Sequence, residues 1–107
     1  VEKVETVQTQ ALQIWLEPNL EALGVDTPQP PVMDAYVDPL NSWAEMSHLL
    51  DREVWTGRVP GSLSYFCGPL PDFPNYPDPP DDSFPLRALE DVKDVARNWL
   101  AQNIRPI

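Results

Sequence analysis

Few side chains in this sequence could do chemistry: one thiol, Cys67, one imidazole, His48, and carboxylates, of which Asp72, Asp78, Asp81 and Asp82 crowd a single segment. A thiol and an imidazole make a nucleophile and its base when the ring can draw the proton from sulfur. Nothing in the spacing brings His48 and Cys67 together. Cys67 sits in Ser64-Tyr65-Phe66-Cys67-Gly68-Pro69-Leu70, an apolar run of the kind in which inert cysteines are buried. A metal site needs several converging ligands, whereas His48 and Glu45 would lie on neighbouring turns of a short helix, with the imidazole partly buried against backbone or carboxylate. A calcium loop needs a glycine bend and alternating ligands. Pro74, Pro77, Pro79 and Pro80 interrupt the aspartates, so they form a solvated acidic loop.

The four glycines, at 24, 57, 61 and 68, assemble neither a GxGxxG nor a Walker-type loop, so these residues do not hold a dinucleotide in the strand-turn-helix manner. Trp15, Trp43 and Trp99 fall on faces expected to be buried. Trp55, beside Thr56-Gly57-Arg58, is the tryptophan expected at the surface.

The elements that must position these groups follow from periodicity and breakers. Residues 4–16 open with β-branched residues and place Leu12, Ile14 and Leu16 at period two, which favours a strand. Val7, Ala11, Ile14 and Trp15 also fit a helical period, so helix stays open as the alternative. Pro18 ends the run, and residues 19–24 predict one or two helical turns closed by Gly24. Thr27 to Pro31 is an extended connector, followed by a second strand over residues 32–37. Asn41 or Ser42 can serve as N-cap, and Ser42-x-x-Glu45 reads as a capping box opening a short helix with Trp43, Met46, Leu49 and Leu50 on one face. A third strand spans about residues 62–67 and stops at Gly68-Pro69.

Eight of the fourteen prolines lie between Pro60 and Pro85. Residues 71–83 are therefore a proline-rich acidic loop with polyproline-like backbone, pinned by Phe73, Tyr76 and Phe84. From Ser83, a possible cap, a helix of about 20 residues begins, with Pro85 in its first turn and Leu89, Val92, Ala96, Trp99, Leu100 and Ile104 as its buried stripe. The fold class is α+β: a small antiparallel or mixed sheet of about three strands, packed against a long C-terminal helix and a short helix, with proline-rich loops.

The 107 residues carry seventeen acidic and seven basic groups, for a formal charge of −10, and no Lys or Arg occurs from Val4 to Asp51. Such a surface repels phosphate, which argues against nucleic acid and anionic membranes as partners. A single cysteine forms no internal disulfide and points to a reducing, cytoplasmic setting. No apolar run reaches the roughly 20 residues of a membrane span. The chain is one domain or, from Val1 and the apolar Pro106-Ile107, an excised segment of a longer polypeptide.

Three runs carry a resemblance: residues 7–16 (Val-Gln-Thr-Gln-Ala-Leu-Gln-Ile-Trp-Leu), residues 36–49 (Tyr-Val-Asp-Pro-Leu-Asn-Ser-Trp-Ala-Glu-Met-Ser-His-Leu) and residues 65–70 (Tyr-Phe-Cys-Gly-Pro-Leu). They resemble the middle part of FAD-dependent oxidoreductases of the amine oxidase and phytoene desaturase superfamily, and the helix from Leu86 to Ile104 is similar to one that follows there. The resemblance implies a segment of the substrate-binding domain, a mixed sheet flanked by helices over the flavin. The implied chemistry is hydride transfer from a C–N or C–C bond of substrate to FAD. That FAD would belong to the parent protein, with none bound by this chain alone. Trp43, His48, Tyr65 and Cys67 are the substrate-pocket candidates it implies, and no residue is catalytic by motif. The implied partner is the remainder of the flavoenzyme, or a second copy through a bared interface. The alternative is a free-standing acidic protein-interaction domain without catalytic activity, whose proline-rich loop presents aromatics to a partner.

Overall fold

The computed structural model describes residues 6–34, 37–70 and 81–104, and the chain divides into two compact units, residues 11–68 and residues 1–10 with 69–107. The elements run β1 (Thr9–Leu16), β2 (Val32–Asp34), β3 (Ser42–Glu45), a 3-10 helix (Ser47–Arg52), β4 (Ser62–Pro69) and α1 (Phe84–Asn103). The class is α+β, as expected. Among the described residues the sheet has four strands in the order β1-β4-β3-β2, one more than the sequence indicated.

In β1 the alternative left open resolves to strand. Leu12, Ile14 and Leu16 alternate with more exposed Ala11, Gln13 and Trp15, the pattern of a strand with one inner face. Gly61 N–H donates to Leu16 O at 2.9 Å, and Leu70 N–H to Gln8 O at 2.8 Å. Residue numbers thus rise on β4 as they fall on β1, so the two strands are antiparallel.

The turn after β1 forms as its sequence dictates. Asn19 Oδ1 accepts Ala22 N–H at 2.9 Å, which caps the start. At the end Val25 N–H reaches Leu20 O and Gly24 N–H reaches Glu21 O, the paired bonds of a Schellman ending. Gly24 supplies the left-handed φ of 77° this requires.

The helix expected around Trp43 is a correction. Ser42–Glu45 is strand β3, and helical geometry is confined to the 3-10 segment Ser47–Arg52. The reason is pairing on both sides: Ser42, Trp43 and Ala44 stand opposite Asp34, Met33 and Val32, and opposite Cys67, Phe66 and Tyr65. A four-residue stretch gains more from two ladders than from one isolated helical turn. Glu45 does serve a helical turn, but forwards: its Oε1 accepts Ser47 N–H at 2.6 Å, and Ser42 is not the cap.

β4 also departs from expectation, because it runs through Gly68 to Pro69. A Cβ on Gly68 would lie 1.8 Å from Pro39 O, so glycine here lets the strand pass close to the Asp38-Pro39 turn; it does not stop the strand. Gly61 has the same role at the other end, where a Cβ would meet Glu17 O at 2.3 Å. Among the described residues, Leu40, Leu50, Leu63 and Phe66 are the buried apolar residues of this unit.

In the other unit, Gln10 Nε2–H donates to Pro69 O at 3.1 Å. Helix α1 begins where Pro85 occupies the first turn. Ser83 makes no side-chain cap; Asp81 Oδ1 instead accepts both Ser83 N–H, at 2.9 Å, and Ser83 Oγ–H, at 2.7 Å. Trp99 is the buried point of the helix, while Leu89 at 48% and Ile104 at 38% are exposed. The inner side of the helix keeps the expected Val92, Ala96, Trp99 and Leu100, adds Ala88, Val95 and Asn103, and loses Leu89 and Ile104. Of the expected proline-rich loop, residues 71–80, with Phe73 and Tyr76, lie outside the described residues.

Candidate functional site

The four residues implied as pocket candidates divide between two faces and a helix. Directly opposed residues of antiparallel strands share a face, and neighbours along a strand alternate. Ser42 opposes Cys67 and Ala44 opposes Tyr65, so Tyr65 and Cys67 share one face with Ser42, Ala44, Asp34 and Val32. Trp43 opposes Phe66 and Met33, which puts it on the other face. His48 is exposed on the 3-10 helix, where partial burial was expected.

The Tyr65–Cys67 face holds a polar row that sequence reasoning missed. Ser42 Oγ–H donates to Asp34 Oδ1 at 2.8 Å, and Cys67 is the next residue across. Only the register creates this neighbourhood; no sequence spacing between 34, 42 and 67 signals it. Cys67 is a half-buried free thiol. A serine or cysteine nucleophile needs an adjacent base held by a third group. Among the described residues no imidazole bonds to Ser42 or Cys67, so the row is a polar strip with an acceptor carboxylate, without the adjacent base a nucleophile needs. Among the described residues there is also no group of three His, Cys, Asp or Glu side chains able to hold a metal ion.

The tryptophan expectations need revision. Trp15 is 45% exposed and lines a shallow cleft of about 160 Å³ with Leu16, Glu17, Arg58, Val59 and Pro60. Its exposure was legible, since the period that turns Leu12, Ile14 and Leu16 inwards turns Trp15 out. The cleft is well below the roughly 300–1,000 Å³ of small-molecule sites, and the Arg58–Glu17 ion pair at 2.7 Å stands at its edge. Trp55 is half-buried and tied down, its Nε1–H donating to Leu50 O at 3.0 Å.

Among the described residues, none forms the pyrophosphate cradle that FAD, the group the resemblance implies, would need. A dinucleotide pyrophosphate docks on free amides at a helix N-terminus reached through glycines. The start of α1 is already served by the Asp81 carboxylate, which would repel phosphate and is further engaged by Arg87 at 2.9 Å. Gly61 and Gly68 are pressed against other backbone, and no glycine precedes α1 by a short turn.

No protein-family model matches this chain, and neither a curated protein nor a solved structure matches it. No helix among the described residues is long and apolar enough to cross a membrane.

Proposed function

We propose that this chain is part of the substrate-binding domain of a FAD-dependent oxidoreductase, with the flavin held by other parts of the parent protein. The observation that supports the reading is the joint placement of the runs carrying the resemblance. They supply β1, then β3 with the 3-10 helix, then β4, and these three strands are neighbours in one sheet. On this reading the Tyr65–Cys67 face, with the Asp34–Ser42 pair, walls the substrate pocket. It offers aromatic contact from Tyr65 and a carboxylate able to accept from an amine or hydroxyl. Trp43, on the opposite face, and His48, exposed on the 3-10 helix, drop out of that wall. The exposed Trp15, Val54 and Val59 are apolar surface for the remainder of the polypeptide to cover.

The reading needs a dinucleotide site elsewhere in the parent. Sequencing the full gene tests this directly: a glycine-rich loop between strand and helix, upstream of these residues, is the expected result. A reading frame without one would sink the proposal.

A further inference from the structure

We propose that the open edge of the sheet at β2 receives an extended, basic-flanked segment of a separate partner protein by strand addition, a role independent of any flavin chemistry. Among the described residues β2 is a terminal strand of the sheet. Its residues Val32, Met33 and Asp34 are all exposed, Val32 by 75% and Met33 by 52%.

The pairing pattern shows which backbone groups face outwards. Glu45 N–H donates to Pro31 O at 3.0 Å, and Val32 opposes Ala44 while Asp34 opposes Ser42. In an antiparallel pair, hydrogen-bonded and non-hydrogen-bonded positions alternate. Pro31 and Met33 therefore turn their backbone groups towards β3. Val32 and Asp34 turn their N–H and C=O to the open side, the arrangement by which a sheet edge templates an added strand.

Charge selects the occupant. Asp34 is fixed on the edge itself by the Ser42 hydroxyl, and the chain as a whole carries a formal charge of −10. A second copy pairing edge to edge would bring like charge against like charge, which is destabilising. A partner strand with Lys or Arg flanking apolar residues meets complementary charge, while Val32 and Met33 supply apolar contact. Pro30 and Pro31 lack N–H donors and limit the added ladder on one side. Few hydrogen bonds are gained, so the complex is weak and salt-sensitive.

The test titrates the full chain with the peptide Lys-Lys-Val-Thr-Val-Thr-Lys-Lys and, separately, with Glu-Glu-Val-Thr-Val-Thr-Glu-Glu, while following backbone amide resonances. The basic peptide is expected to move the Val32 and Asp34 amides and to lose affinity as salt is raised. The acidic peptide should leave them in place. Val32→Pro removes one outward donor at an edge position where proline is tolerated, and should weaken the basic peptide about tenfold or more. Equal response to both peptides, shifts confined to another surface, or undiminished binding by a folded Val32→Pro variant would each overturn the proposal. So would slow exchange of the Val32 and Asp34 amides in the protein alone, or a dimer whose interface maps to β2.

Discussion

Glu45 accepts the backbone N–H of Ser47 at 2.6 Å, and through that bond a carboxylate only 3% exposed ties strand β3 to the 3-10 helix. Ser47 continues the link, its Oγ accepting Leu63 N–H from β4 at 2.9 Å. A single buried acid thus holds the corner where β3, the 3-10 helix and β4 meet. Removing it by Glu45→Ala leaves the Ser47 N–H without its acceptor and should cost about 1–3 kcal/mol. Glu45→Gln keeps an acceptor oxygen and should cost less. Urea denaturation midpoints check the order; equal loss in both variants would show that charge, not the acceptor, matters at this corner.

Gly68 carries a different kind of constraint. Its added Cβ would sit 1.8 Å from Pro39 O, a clash with backbone that no side-chain rotation relieves. Gly68→Ala should therefore destabilise far more than the ~1 kcal/mol of an average substitution, or prevent folding. Gly24→Ala, in open space with φ at 77°, should cost about 1–2 kcal/mol from left-handed strain alone. Comparing thermal midpoints of the two variants tests the packing argument.

These residues show what the sequence made legible. Gly24 was readable as a helix stop because the Schellman bonds are local, closing within six residues. Gly68-Pro69 carries the local signal of a strand stop, whereas the reason for glycine there lies at Pro39, far away in sequence. Ser42-x-x-Glu45 likewise matched a local helix signature, and lost to ladders formed with residues 32–34 and 65–67. The Asp34–Ser42–Cys67 row was invisible for the same cause, since register and not spacing creates it. Local signals carried β1, the Asn19 turn and α1; long-range pairing decided the rest.

The start of α1 should show a pH signature at Asp81. Bonds from the Ser83 hydroxyl and amide, and then from Arg87, lower its pKa from 3.8 to about 2. A carboxyl with a depressed folded-state value stabilises fully above its unfolded value, and that contribution is lost as pH falls through the folded value. The increment is thus present above about pH 4 and disappears between 3.8 and about 2. Asp81→Asn should flatten this part of an acid titration of stability followed by far-ultraviolet circular dichroism. An unchanged profile would place the titrating group elsewhere.

Trp99 sets the register of the α1 stripe. It is 3% exposed whereas Leu86 is 68% exposed. Trp99→Ala should cost about 3–5 kcal/mol, and Leu86→Ala should stay within about 0.5 kcal/mol of the parent. Similar losses in denaturant midpoint for the two would contradict an inner face centred on Trp99.

The central claim, that these residues belong to the substrate-binding domain of a flavoenzyme, meets its most direct test in the visible absorption spectrum of the natural polypeptide that carries them. The claim expects a yellow protein with oxidised-flavin bands that bleach when a candidate amine or polyene is added without oxygen. A colourless, fully folded polypeptide that takes up no FAD when it is supplied would contradict it.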